Sequence, residues 1–265
     1  MRYSLCIENF YKNFRFEDKF EAAKSDGFEY CEFWTWKNRD WESIKKAIAN
    51  SRIQIAAFSG DDEYSLINPD ESSAYIDFLK QSIEKSKDLD CRYLVIHSDA
   101  FAPDGSAKDI GKVLSYETKL INMYNVLESI APFAEQDDIT LVLEPLNTCM
   151  GQPRTHKNYF LEYPEPAFEL TRQVGSPNIK VLYDIYHMQL MTGNIINTLE
   201  NNIDQLGYIH LADVPGSHEP GTGELNFENI LKALDSMGYT GFVGFELLPS
   251  ESDQKAFEAI KKILI

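Results

Sequence analysis

Ile139-Thr140-Leu141-Val142-Leu143-Glu144 is an almost unbroken apolar run that ends on a carboxylate. A strand with one wet face alternates apolar and polar residues, whereas a parallel strand covered on both faces is apolar throughout. Comparable runs occupy 3–8, 29–34, 53–59, 92–97, 180–184, 207–212 and 241–247. Between them the pattern changes to that of amphipathic helices, expected near 16–26, 40–51, 72–89, 115–136, 164–175, 194–202, 226–237 and 252–264. Phe227, Ile230, Leu231 and Leu234 make one apolar face, behind a candidate N-cap at Asn226 and ahead of Gly238 as the C′ residue. Phe16, Phe20 and Ala23 repeat the pattern before Gly27, as do Ala256, Ile260, Ile263 and Leu264 near the end.

Eight βα units in 265 residues predict an α/β fold, the (β/α)₈ TIM barrel, with residues 1–265 as one domain. The competitor, a doubly wound open sheet, carries a glycine-rich phosphate loop after its first strand. Asn9-Phe10-Tyr11-Lys12 is not such a loop. A hydrophobic fraction of 43% supports one large core, and well-spread aromatics at 12% argue against long disordered stretches. With 42 acidic against 25 basic residues, the net charge of −17 repels phosphate backbones and anionic lipid. Nucleic-acid and membrane partners are therefore not expected, and a small-molecule substrate is. Cys6, Cys31, Cys91 and Cys149 form no CxxC pair, which suits reduced thiols. No secretory apolar core follows residues 1–12, so the expected location is cytoplasmic.

Barrel enzymes carry their chemistry at the C-terminal ends of the strands. Here the fifth strand ends in Glu144, the sixth in Asp184, the seventh carries His210 and the eighth Glu246. A lone acidic residue or histidine at a strand end is usually a solvated loop edge. Four on consecutive strands, each behind an apolar run, can converge on the barrel axis. Buried carboxylates repel one another unless a cation compensates. Three carboxylates and one imidazole make a mostly oxygen site, suited to one divalent metal ion, Mn²⁺, Mg²⁺ or Co²⁺, rather than to thiolate-bound zinc.

Three stretches carry a resemblance: Leu143-Glu144-Pro145-Leu146-Asn147, then Tyr183-Asp184-Ile185-Tyr186-His187-Met188-Gln189, and the long run from His210 through Asp213-Val214-Pro215-Gly216-Ser217 to Glu224. Together they resemble the hydroxypyruvate isomerase family of the xylose-isomerase-like barrels, whose cousins are the ketose 3-epimerases. The resemblance implies that Glu144, Asp184, His210 and Glu246 hold the metal, with Mn²⁺ foremost. It makes Glu144 and Glu246 the acid–base pair and puts His187 on substrate oxygens. The implied activity is isomerisation or epimerisation of a small keto acid or ketose through an enediolate. A homo-oligomer is implied by the family alone.

The family's Pro-Gly-Arg is Pro215-Gly216-Ser217 here, and serine has neither the charge nor the fork of arginine. The loop 148–160 is longer than in the family, and its Arg154, His156 or Lys157 are candidates to replace that arginine. Trp34, with Trp36 beside it, is either an apolar wall for substrate or plain packing. His97 either borders the pocket or is a satisfied structural histidine. Glu219 is a further substrate-binding candidate; like His218 it flanks the motif loop. Gly221-Thr222-Gly223 reads better as a tight turn than as a phosphate cradle, and Asp61-Asp62-Glu63 as a solvated loop. A lyase or dehydratase acting on a keto sugar or 3-keto glycoside would use the same enediolate. An inactive partner subunit is the non-enzyme alternative. The endonuclease branch of the superfamily needs more histidines and a basic face.

Overall fold

In the computed structural model, which describes residues 1–264, every one of the apolar runs overlaps a strand, with ends displaced by a few residues. The strands are β1 (Arg2–Cys6), β2 (Tyr30–Phe33), β3 (Gln54–Ser59), β4 (Tyr93–Ile96), β5 (Thr140–Leu143), β6 (Ile179–Asp184), β7 (Leu206–His210) and β8 (Phe242–Phe245). All pair in parallel in sequence order, and β1 closes the barrel against β8, with Arg2 beside Phe242 and Leu5 beside Phe245. Inward-facing side chains, among them Ala57, Val95, Val142, Leu182, Tyr208 and Phe242, fill the interior. The larger core lies between strands and helices, as the two-sided burial of β6 and β8 requires.

The outer layer is α1 (Asp18–Ser25), α2 (Trp41–Ser51), α3 (Ser72–Asp88), α4 (Tyr116–Asp137), α5 (Pro164–Val174), α6 (Ile185–Met191), α7 (Ile195–Asn201), α8 (Phe227–Ser236) and α9 (Asp253–Ile263). The expected face of α8 is buried at Phe227, Ile230, Leu231 and Leu234, and Asn226 caps it by accepting the Asn229 N–H at 3.0 Å. Truncating such a buried leucine to alanine costs about 2–5 kcal/mol. In α9 the stripe stops at Ile263, because Leu264 lies past the helix and is exposed.

One element was not legible as a helix. The chain enters α6 directly from β6, and only Thr192, Gly193 and Asn194 separate it from α7, where one helix at 194–202 was expected. The apolar run continues through Ile185 and hides the border. Asp184 makes the change of direction possible: its Oδ1 accepts the N–H groups of Tyr186 at 2.8 Å and His187 at 3.2 Å. All four cysteines are free thiols. Among the described residues no helix is long and apolar enough to cross a membrane.

Candidate active site

Glu144 follows β5 immediately, Asp184 and His210 end β6 and β7, and Glu246 follows β8. The strands thus deliver their side chains to one end of the barrel. One ligand atom from each of the four lies within 4.8 Å of all the others, and all four residues are buried. Nδ1 of His210 is 3.3 Å from Glu144 Oε1 and 3.2 Å from Glu246 Oε2. The donor set, three carboxylates and one imidazole, fits a divalent cation of the oxygen-preferring kind.

Charge balance points the same way. Five buried carboxylates, Glu32, Asp61, Glu144, Asp184 and Glu246, are linked through only three basic side chains, His97, Arg154 and His210. The excess is negative, which a divalent ion offsets. Burial raises the Asp184 carboxyl to about 6 despite the pull of Arg154. Burial also acts to raise Glu246, but Arg154 and His210 outweigh it and hold that carboxyl well below its usual range. For Glu144, burial is likewise outweighed, by hydrogen bonds from His210 and His97.

A cavity of about 410 Å³ opens on this cluster. Trp34 lines its mouth, and its indole N–H donates to Glu246 Oε1 at 2.6 Å. Trp36 faces away, stacked on Phe78 and bonded to Ser82. His97 and His156 line the cavity; burial, then Arg154, lowers His156 to about 4, so it is neutral. His187 and Glu219 are not among the lining residues. His187 Nδ1 accepts from Asn147, and Glu219 receives the backbone N–H and hydroxyl of Ser250. The Gly221–Gly223 turn wraps an internal anion: both glycine N–H groups donate to Asp213 Oδ2, at 3.0 and 2.8 Å.

Arg154, alone of the three basic candidates in the long loop, reaches the carboxylates. Its Nη1 donates to Glu246 O at 2.8 Å and to Ser217 Oγ at 3.4 Å, while Nη2 pairs with Glu246 Oε2 and, at 3.5 Å, with Asp184 Oδ2. Its backbone is held too. Asn147 Nδ2 donates to Arg154 O at 3.0 Å, and the Tyr186 hydroxyl donates to Pro153 O at 2.6 Å. Arg154 therefore brings a guanidinium alongside Ser217. Lys157 is not among the cavity-lining residues.

Asp61 corrects the expectation of a solvated loop. It is buried, and its carboxylate accepts from the Tyr75 hydroxyl at 2.8 Å and the His97 backbone N–H at 2.6 Å, with His97 Nδ1 at 2.8 Å. The other face of that imidazole, Nε2, lies 3.4 Å from Glu144 Oε2. Burial alone acts to lower His97, but Asp61 and Glu144 outweigh it and raise it to about 10. A histidine raised above its unfolded value of about 6.5 contributes its stability in full below that pH and loses it as pH climbs towards the folded value. Asp61→Asn should therefore cost about 3 kcal/mol at pH 6. Urea unfolding at several pH values should show the gap to the parent narrowing from pH 6.5 to 10; a gap independent of pH would contradict this assignment.

A sequence profile of the xylose isomerase-like TIM barrel family matches residues 20–263. The hydroxypyruvate isomerase of Escherichia coli is 27% identical over 262 residues, 96% of each chain. The 2-oxo-tetronate isomerase of Cupriavidus necator is 28% identical, over 94% of this chain and 93% of its own. The crystal structure of AP endonuclease, family 2, from Brucella melitensis superposes with a TM-score of 0.86 at 24% identity, covering 98% of this chain and 96% of that one. At that identity the likeness is one of fold.

Proposed function

The chain belongs to the xylose isomerase-like TIM barrel family, among the hydroxypyruvate isomerases, and from that premise we propose a divalent-metal-dependent isomerase or epimerase. Its substrate is a small α-hydroxy carbonyl compound, a keto acid or a ketose, and its chemistry is proton transfer through an enediolate. One observation carries this reading: Glu144 and Glu246 reach the same His210 nitrogen from β5 and β8, and Asp184 completes the group. A bound ion, Mn²⁺ foremost, would stabilise the charge that develops on the substrate oxygens and acidify the carbon between them.

The protein's own residues supply the rest. Trp34 and Arg154 hold the Glu246 carboxylate from two directions, which keeps it ionised and fixes its rotation. Glu144 is held between His210 and His97. One carboxylate takes the proton from the hydroxyl-bearing carbon and the other returns one, to the neighbouring carbon in an isomerase or to the same carbon in an epimerase. Phe58, Phe101, Leu146 and Leu248 help line the cavity and limit water around the exposed carbanion. Unpaired thiols suit the cytoplasm.

The cavity, about 410 Å³, falls in the range that encloses drug-sized ligands and exceeds what a three-carbon keto acid fills. That observation favours a second reading, elimination from a larger keto sugar or keto glycoside by the same enediolate. Incubation in D₂O with Mn²⁺ and a panel of keto acids, ketoses and keto glycosides tests both. Deuterium next to a carbonyl is the expected result, and release of water or an aglycone separates elimination from isomerisation. No exchange with any member would count against the enzyme and favour an inactive partner subunit.

A further inference from the structure

Glu32 ends the polar side of β2 inside the barrel, where it is 3% exposed. Its Oε2 accepts hydrogen bonds from Ser4 Oγ, at 2.8 Å, and from the Tyr208 hydroxyl, and those two hydroxyls lie 2.7 Å apart. Its Oε1 lies 3.0 Å from Nε2 of His210, off the line of a well-formed hydrogen bond, and neither atom is hydrogen-bonded to any other group. The opposite strand leaves room for this carboxylate. A Cβ on Gly244 of β8 would fall 2.5 Å from Oε1 and 2.6 Å from Oε2, closer than real Cβ contacts come. A buried carboxyl is costly unless its oxygens find partners, and the two hydroxyls satisfy only Oε2.

A role for Oε1 follows from the imidazole's other nitrogen. Nδ1 of His210 faces Glu144 Oε1 and Glu246 Oε2, at 3.3 and 3.2 Å. A neutral imidazole carries its proton on one nitrogen and a lone pair on the other, and the acceptor beside one nitrogen decides which. We infer that Glu32 is a positioning residue: it takes the Nε2–H of His210 and thereby presents the Nδ1 lone pair to a cation held by Glu144, Asp184 and Glu246. The inference rests on the metal-dependent reading above. A carboxylate behind a ligating histidine fixes the ring and makes it a stronger ligand. Ser4 and Tyr208 in turn hold Glu32.

Calorimetric titration with Mn²⁺ and Co²⁺, with the visible spectrum of the Co²⁺ form, tests this on the parent and on Glu32→Met, Glu32→Gln and Tyr208→Phe. Glu32→Met keeps the volume and removes the acceptor; its Kd should rise about 10–100-fold for both ions, with an altered Co²⁺ spectrum. Glu32→Gln, whose amide oxygen still accepts, should recover most of that loss. Tyr208→Phe removes one donor to Oε2 and should weaken binding by about threefold, which also covers a Glu32→Met chain that fails to fold. Parent-like affinity and spectrum in the folded Glu32→Met and Tyr208→Phe proteins would overturn the inference. A parent protein that binds neither ion would refute the metal-dependent reading, and the inference with it.

Discussion

Glu246→Gln is expected to abolish turnover, lowering it by about 10³-fold or more, while the barrel stays folded. The substitution keeps the shape of the side chain and removes its basicity. It also weakens three contacts at once: the Trp34 indole at Oε1, and Arg154 and His210 at Oε2. Glu144→Gln should likewise abolish turnover, because the other member of a two-base pair cannot complete the reaction alone, although it can still exchange a proton at the face it serves. Circular dichroism and thermal unfolding check the fold, and product formation from the best substrate of the panel checks the chemistry. Substantial turnover in both variants would sink the acid–base assignment.

The second large effect concerns Arg154. Its guanidinium is 13% exposed, pairs with Glu246 and Asp184, and leans on Ser217. Burial acts against its charge, but Glu246 and Asp184 outweigh that and hold it more firmly protonated than usual. Arg154→Ala should lower kcat/KM by about two powers of ten, near 3 kcal/mol, because it leaves buried carboxylates unpaired and strips the cavity of its fixed cation. Ser217→Arg in the Arg154→Ala background should restore at least tenfold, since Ser217 Oγ lies 3.4 Å from the Arg154 guanidinium and an arginine there can reach the same carboxylates. Arg154→Lys should not match this rescue, having a point charge where a planar fork fits. Parent-like kcat/KM in Arg154→Ala would show that the loop cation is dispensable.

The four strand-end residues were legible because each follows an apolar run directly, so the change from apolar to ionisable marks where the strand leaves the barrel wall. Glu32 sits within such a run, at an inward position of β2, and nothing local separates it from a charged edge residue. Asp61 lies in a run of acidic residues that reads as solvated, yet His97 and Tyr75, distant in sequence, turn it inward. The 148–160 segment was visible as a loop. The residue it would deliver was not, since Asn147 and Tyr186 set the path of its backbone and Ser217 receives its side chain. His187 is delivered by the Asp184 motif: Asn147 caps Nδ1, Nε2 lies 3.6 Å from Asp184 Oδ2 without a hydrogen-bond partner, and the residue is fully buried outside the cavity lining.

Trp34 gives the molecule an optical consequence. The chain has three tryptophans. The indoles of Trp36 and Trp41 are tied to Ser82 and Asp88 in the helix layer, whereas that of Trp34 is bonded to Glu246 at the cavity mouth. Indole emission shifts when the charge or hydrogen bonding at its nitrogen changes. Whatever occupies the carboxylates therefore alters the light emitted by one residue of three, so the enzyme carries its own fluorescent label at the reacting centre.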